Sequence, residues 1–159
     1  MKEKNEYVIV SPHCDDEIIG LYELLVKKIN PIIIYTCDMS EERKKEALTL
    51  NKYVPVKGQL FNKEVPPNLL TPLQTLFFPD PTTEIHPDHR LYGAKGEELA
   101  RKGVDVIFYS INMNAPYIHK VSDFKDKRHL LEKVYPSQKN LWKFENKYFL
   151  FEGRCKWIF

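Results

Sequence analysis

Two patterns alternate along this chain. Short runs are uniformly apolar, and longer stretches return an apolar residue every three or four positions. Tyr7-Val8-Ile9-Val10 is the first short run. Its length and β-branched content predict a buried strand, ended by Ser11-Pro12. From Asp16 onward, Ile18, Ile19, Leu21, Tyr22, Leu24, Leu25, Val26 and Ile29 recur at helical spacing, until Asn30-Pro31 breaks the pattern. Residues 32–36 form a second apolar run, of the kind a parallel sheet buries on both faces. Ser40 suits an N-cap, with Glu41 and Glu42 in the first turn of a helix reaching about Asn51. Strand, helix, strand, helix in this order predicts a right-handed βαβ unit.

The middle of the chain is less regular. Residues 54–72 hold four prolines, and only a weak strand is expected, near 59–61. Residues 73–78 read as a third convincing strand, stopped by Pro79-Asp80-Pro81. Pro87 suits the first position of a helix that runs to about Arg101 and ends at Gly103, with His86 as its N-cap. A strand over 104–109 and an amphipathic helix over 124–134 follow. Alternation in 148–159 reads as one or two strands with a turn near Glu152-Gly153. The fold class is α/β, with one mostly parallel sheet in a single compact domain spanning 1–159. An aromatic tail of about 139–159 packs on it, as part of the sheet edge or over an exposed face.

Composition narrows the classes. A length of 159 residues, 43% hydrophobic and 29% charged, fits one globular domain with a real core. A net charge of +2 does not call for nucleic acid or an anionic membrane as partner. No run of 18 apolar residues occurs, and the charged start of the chain lacks a signal-peptide core, so a cytoplasmic protein without a membrane span is expected. Cys14, Cys37 and Cys155 are an odd set without metal-finger spacing, as expected of thiols in a reducing compartment.

Candidate chemistry sits at two strand ends. His13, Asp15 and Asp16 follow the first strand, at the edge where open α/β sheets place ligands. These acidic residues also suit the positive end of a helix. A second cluster points further. His86 and His89 share a face at the start of a helix after another strand, so both clusters reach one sheet edge. Two His and one carboxylate around an open-sided ion is a hydrolytic arrangement that zinc tolerates well. Of the adjacent Asp15 and Asp16, one can ligate while the other takes a proton from water. The remaining imidazole is free to stabilise charge on a carbonyl oxygen. Spacing does not decide between His86 and His89. The reaction class implied is metal-assisted hydrolysis of an amide or ester.

These residues resemble the PIG-L/LmbE-like family of metal-dependent de-N-acetylases. Pro12-His13-Cys14-Asp15-Asp16-Glu17 matches its first motif, Pro-His-X-Asp-Asp-Glu. Glu84-Ile85-His86-Pro87-Asp88-His89 is similar to its second. Arg43-Lys44-Lys45-Glu46 and Tyr135-Pro136-Ser137-Gln138 resemble two lesser ones, so the correspondence covers roughly residues 7 to 138. The resemblance implies a Rossmann-like sheet with helices on both faces, and removal of acetyl from an N-acetylated amino sugar such as an N-acetylglucosamine derivative. It implies zinc bound by His13, Asp16 and His89, with Asp15 as general base and His86 stabilising the oxyanion. Asp88 would tune a neighbouring imidazole, and Arg43 would contact the substrate. Iron(II) suits the same ligands. Cys14 stands where the family more often has proline, Glu84 replaces the commoner Asp, and the long insertions that shape the sugar pocket are missing.

Other residues carry less weight. Thr36-Cys37-Asp38, at the end of the second strand, can line the site, although such residues more often close a turn; His119 and His129 are expected to lie at the surface, and residues 125–133 to form a solvated helix face. The tail aromatics offer a stacking platform for sugar rings or unpaired bases. Two rival readings follow: the same chemistry on a modified nucleotide or nucleic-acid base, and a non-catalytic metal-stabilised binding module.

Overall fold

The computed structural model describes residues 6–111, 117–142 and 151–154. Among the described residues its sheet has seven strands: β1 (Glu6–Ser11), β2 (Ile32–Tyr35), β3 (Gly58–Phe61), β4 (Gln74–Pro79), β5 (Asp105–Ser110), β6 (Tyr117–Lys120) and β7 (Phe151–Arg154), in the order β3-β2-β1-β4-β5-β7-β6. The first five in that order pair in parallel; β7 runs antiparallel to both β5 and β6. The chain builds outward from β1 through β2 to β3, then crosses back to place β4 on the other side of β1. The gap between the carboxyl ends of β1 and β4 is therefore a topological switch point, where α/β sheets bind ligands.

Strand periodicity explains why both faces are covered. In β1, Ile9 faces one way, into a cluster with Ile18, Leu21, Leu25, Ala47, Leu131 and Tyr135. Val8 and Val10 face the other way, toward Tyr92 and Leu99. Residues two apart share a face, so a strand with no polar position must be buried on both. The first face carries α1 (Asp16–Val26), α2 (Glu41–Leu48) and α4 (Phe124–Val134); the second carries α3 (Pro87–Arg101). A four-residue helix, α5 (Lys139–Trp142), follows α4. Ser40 caps α2 as expected, its hydroxyl accepting the Arg43 amide at 3.3 Å.

Several expectations need correction. Helix α1 ends at Val26 rather than Ile29, because Lys28 and Asn30 adopt left-handed backbone (φ 59° and 53°) before Pro31. Helix α2 ends at Leu48 and tightens into a 3-10 turn over Thr49–Lys52. Strand β6 was not expected from the pattern. Glu152 and Gly153 lie inside β7 and not at a turn. Lys127 is not on a solvated face: it is fully buried, its Nζ donating to Ile19 O at 2.6 Å and lying 3.5 Å from Glu152 Oε1. Glu152 Oε1 also accepts the Glu23 amide at 3.3 Å. This buried pairing of α1, α4 and β7 sets residues 151–154 of the tail inside the sheet. The tail residues 143–150 and 155–159, and with them the stacking-platform reading, lie outside the described residues. His129 is exposed, as expected. Among the described residues, no helix is long and apolar enough to cross a membrane.

Helix α3 sits unusually close to the β4 end. A Cβ on Gly93 would lie 2.6 Å from both Pro79 O and Pro81 N, which are backbone atoms that cannot swing aside. G93A should therefore cost about 1–3 kcal/mol of stability, the usual penalty for overpacking. The urea midpoint checks it, and an unshifted midpoint would mean that α3 has room to move.

Candidate metal centre

The turn after β1 carries the first half of the site. Asp15 adopts a left-handed backbone (φ 100°, ψ −26°) at the N-cap of α1, a conformation an aspartate tolerates better than most residues. Glu17 locks this turn from beneath. Its buried carboxylate accepts the Asp15 amide at 3.0 Å and the Tyr35 hydroxyl at 3.1 Å, and also bonds the hydroxyl of Tyr135. Burial pushes the Glu17 carboxyl up to about 7, against the Tyr135 hydrogen bond, which opposes the shift. The sequence reading overlooked this role; the signal was Glu17 itself, an acidic residue opening a helix that is buried on every side.

The second half comes from the segment between β4 and α3. Asp80 organises that loop through Thr82 N (2.9 Å) and Thr83 Oγ1 (2.9 Å). Glu84 is pinned by the Ile111 amide at 2.7 Å. His86 caps α3, with Nδ1 accepting the Asp88 amide at 3.2 Å. An Nδ1 that accepts puts the proton of the neutral ring on Nε2. His86 therefore offers an N–H donor, and its side chain is half-exposed.

The two halves meet at the switch point. His13 Nδ1, His89 Nε2 and Asp16 Oδ2 form a small triangle: 3.3 Å between the nitrogens, and 3.5 and 2.9 Å from them to the oxygen. A triangle of such edges has a point roughly 2 Å from every corner, the length of a zinc–nitrogen or zinc–oxygen bond. The far nitrogens face carboxylates. His13 Nε2 is hydrogen-bonded to Asp88 Oδ2 at 2.8 Å, whereas His89 Nδ1 lies 3.4 Å from Glu84 Oε2, an ion-pair distance without a hydrogen bond. A carboxylate thus stands behind each imidazole, the place that second partners of metal-binding histidines take, with a hydrogen bond at His13 and a charge contact at His89. The residues present thus fit an ion such as zinc or iron(II).

Asp15 and Asp16 titrate in opposite directions. Both are buried, which by itself raises a carboxyl pKa. For Asp16 the facing His89 and His13 reverse the effect and hold it well below the usual carboxylate range. For Asp15 the charges of Asp16 and Glu17 add to burial, and it stays raised although Arg43 and His89 oppose. Pairs of carboxyls pushed apart in this way mark divided roles, one staying charged and the other exchanging a proton. Arg43 comes near Asp15. Its Nη2 donates to Cys14 O at 3.0 Å, while its buried Nε has no hydrogen-bond partner among the described residues. Glu46, one turn further on, accepts Ser137 N at 2.9 Å and Ser137 Oγ at 2.6 Å, so the two lesser motifs fasten α2 to the segment after α4.

Cys14 faces away from the centre. Its Sγ contacts Met39 and lies 3.8 Å from Arg43 O, and burial pushes its thiol far up, so it is a neutral core residue and not a ligand. Cys37 does more than close a turn. Its thiol is near Asp88, and burial, helped by the Asp88 charge, pushes it up to about 11.

His89 gives the metal-free centre a pH signature. Burial disfavours its charge, but Asp16 and Glu84 outweigh burial and raise its pKa from 6.5 to about 10. The folded state holds this proton more tightly than the unfolded state does. The resulting stabilisation is complete below pH 6.5 and is lost as pH climbs through about 10. Metal-free protein should therefore lose urea resistance over that window, and saturating zinc, which takes the proton's place, should flatten the loss. A metal-independent profile would contradict the His89–Asp16 contact.

Comparison of the chain with protein-family profiles, with curated proteins and with solved structures returned no match.

Proposed function

We propose that this chain is a metal-dependent N-deacetylase that removes acetyl from a small N-acetylated amine, an amino sugar such as an N-acetylglucosamine derivative. The observation that carries the reading is the triangle of His13, Asp16 and His89 donor atoms, with a carboxylate behind each imidazole and the raised Asp15 carboxyl beside it. A zinc or iron(II) ion held there would supply Lewis acidity and lower the pKa of water at the site.

The chain's own groups have the remaining tasks. Asp16 stays ionised, and the ring nitrogens of His13 and His89 face the same point. Asp88 keeps the His13 ring from turning, and the Glu84 charge faces the His89 ring. Asp15 accepts a proton from the attacking water and passes it to the departing amine, work suited to a carboxyl whose proton affinity is raised by burial and by the charges of Asp16 and Glu17. The Nε2–H of His86 is the donor for the oxyanion that forms at the amide carbon. Arg43, held beside the site through Cys14 O, is the substrate contact in this reading. Lack of pairing at Cys14 and Cys37 suits a reducing compartment such as the cytoplasm.

The test is acetate release by zinc- or iron-loaded protein from a panel of N-acetyl amino sugars, free and carrying small aglycones. Turnover is expected on at least one, and at unchanged rate across moderate salt, since no ionic tracking of a polyanion is involved. Silence across the panel from protein proven to hold its metal would overturn the deacetylase reading.

A further inference from the structure

We propose that His13, Cys37 and Asp88 form a second, outer cation site, selective for soft or borderline divalent ions and sharing the His13 ring with the inner centre. An imidazole has two nitrogens that point in opposed directions. In His13, Nδ1 faces Asp16 and His89, while Nε2 faces Asp88 Oδ2 at 2.8 Å. Cys37 is brought alongside by the backbone: its amide donates to Pro12 O at 3.0 Å, tying the end of β2 to the turn that carries His13. One ligand atom from each of His13, Cys37 and Asp88 lies within 4.8 Å of the other two.

The donors are one nitrogen, one sulfur and one oxygen, from three separate segments. Three protein donors leave a position for water, as in open zinc sites. The thiolate and the imidazole favour zinc, cobalt(II) or cadmium over magnesium and calcium, which prefer oxygen. All three residues are half-buried, so a hydrated ion can reach them, whereas two members of the inner trio are buried.

Protons balance simply. With the inner centre filled, an incoming cation would release the Cys37 S–H proton and the His13 Nε2–H proton to solvent, leaving the thiolate and the His13 Nε2 lone pair as its donors. With the inner centre empty, the ring proton moves to Nδ1, toward Asp16, and one proton leaves. In the metal-free protein the Asp88–His13 hydrogen bond occupies the position the outer ion takes. The readout is metal loading and not turnover, so the outer site stands or falls separately from the deacetylase reading.

Cobalt(II) titration of metal-free protein tests it, with absorption and bound metal measured together. Wild type should bind two ions per chain and develop thiolate-to-cobalt charge-transfer absorption in the near ultraviolet. C37S should keep one ion and lose that absorption. H89Q should do the reverse, losing the inner ion and keeping the thiolate band. A wild type with no charge-transfer absorption, or a C37S protein with the same band and stoichiometry as wild type, would overturn the proposal. Should C37S fail to fold, alkylation of wild type decides: zinc or cadmium should slow iodoacetamide labelling of Cys37, mapped by mass spectrometry, and undiminished labelling at saturating metal counts against the site.

Discussion

Replacing Asp15 with Asn should lower kcat by about 10²–10⁴-fold, the range for losing a positioned general base, and leave metal content unchanged. Asn is nearly isosteric and tolerates left-handed backbone, so the φ of 100° at this position is kept. The Asp15 amide, which bonds Glu17, is untouched by the change. What disappears is a proton acceptor whose pKa is raised by burial and by the charges of Asp16 and Glu17. A rate–pH profile separates this from a general loosening. Wild type should show an acidic limb displaced upward from the ordinary carboxylate range, and D15N should lack that limb. Full turnover in D15N would remove Asp15 from the mechanism, whatever the metal does.

Replacing His89 with Ala should empty the inner centre and destabilise the metal-free protein by about 3–5 kcal/mol, as when one partner of a buried ion pair is removed. His89 and Asp16 are almost wholly buried, with side chains 1% and 4% exposed, and their contact is 2.9 Å. Without His89, Asp16 keeps the His13 amide at 2.8 Å but loses its strongest opposite charge. Glu84 loses the imidazole that faces it. Zinc stoichiometry and the urea midpoint measure the two effects independently. Unchanged zinc affinity at the inner centre would exclude the triangle of donors as its ligands.

Much of this arrangement was legible along the chain. The apolar runs before Ser11 and Thr36, and ahead of Pro79 and Ser110, correspond to β1, β2, β4 and β5. Uniform hydrophobicity reports burial on both faces, and β1 indeed divides Ile9 from Val8 and Val10 between the two clusters. The joining of His13 and Asp16 to His89 was also foreseeable, because helices after parallel strands begin at one edge. The spacing did not decide which nitrogen of each ring looks inward. That depends on Asp88 behind His13 and Glu84 behind His89, contacts that span 75 residues in one case and a single turn of loop in the other.

Where the reading failed, the reason is the range of the interaction. Lys127 looks like any lysine on an amphipathic helix, and Glu152-Gly153 looks like a turn. Each finds its partner far along the chain: the buried pairing of Lys127 with Glu152, joined by the Glu23 amide, accompanies the placing of β7 between β5 and β6. Periodicity is a local signal and carries no record of such a partner. Cys14 and Cys37 show the same division: the sequence sets each beside reactive neighbours, but only the packing turns Cys14 toward Met39 and brings Cys37 toward Asp88. By itself, then, the sequence determined the parallel sheet, its edge and the identity of the groups gathered there, because strand burial and helix starts are written in nearest neighbours. The directions of those groups, their charge states and the place of β7 were decided by tertiary structure, because buried charges settle only against partners far away in the chain.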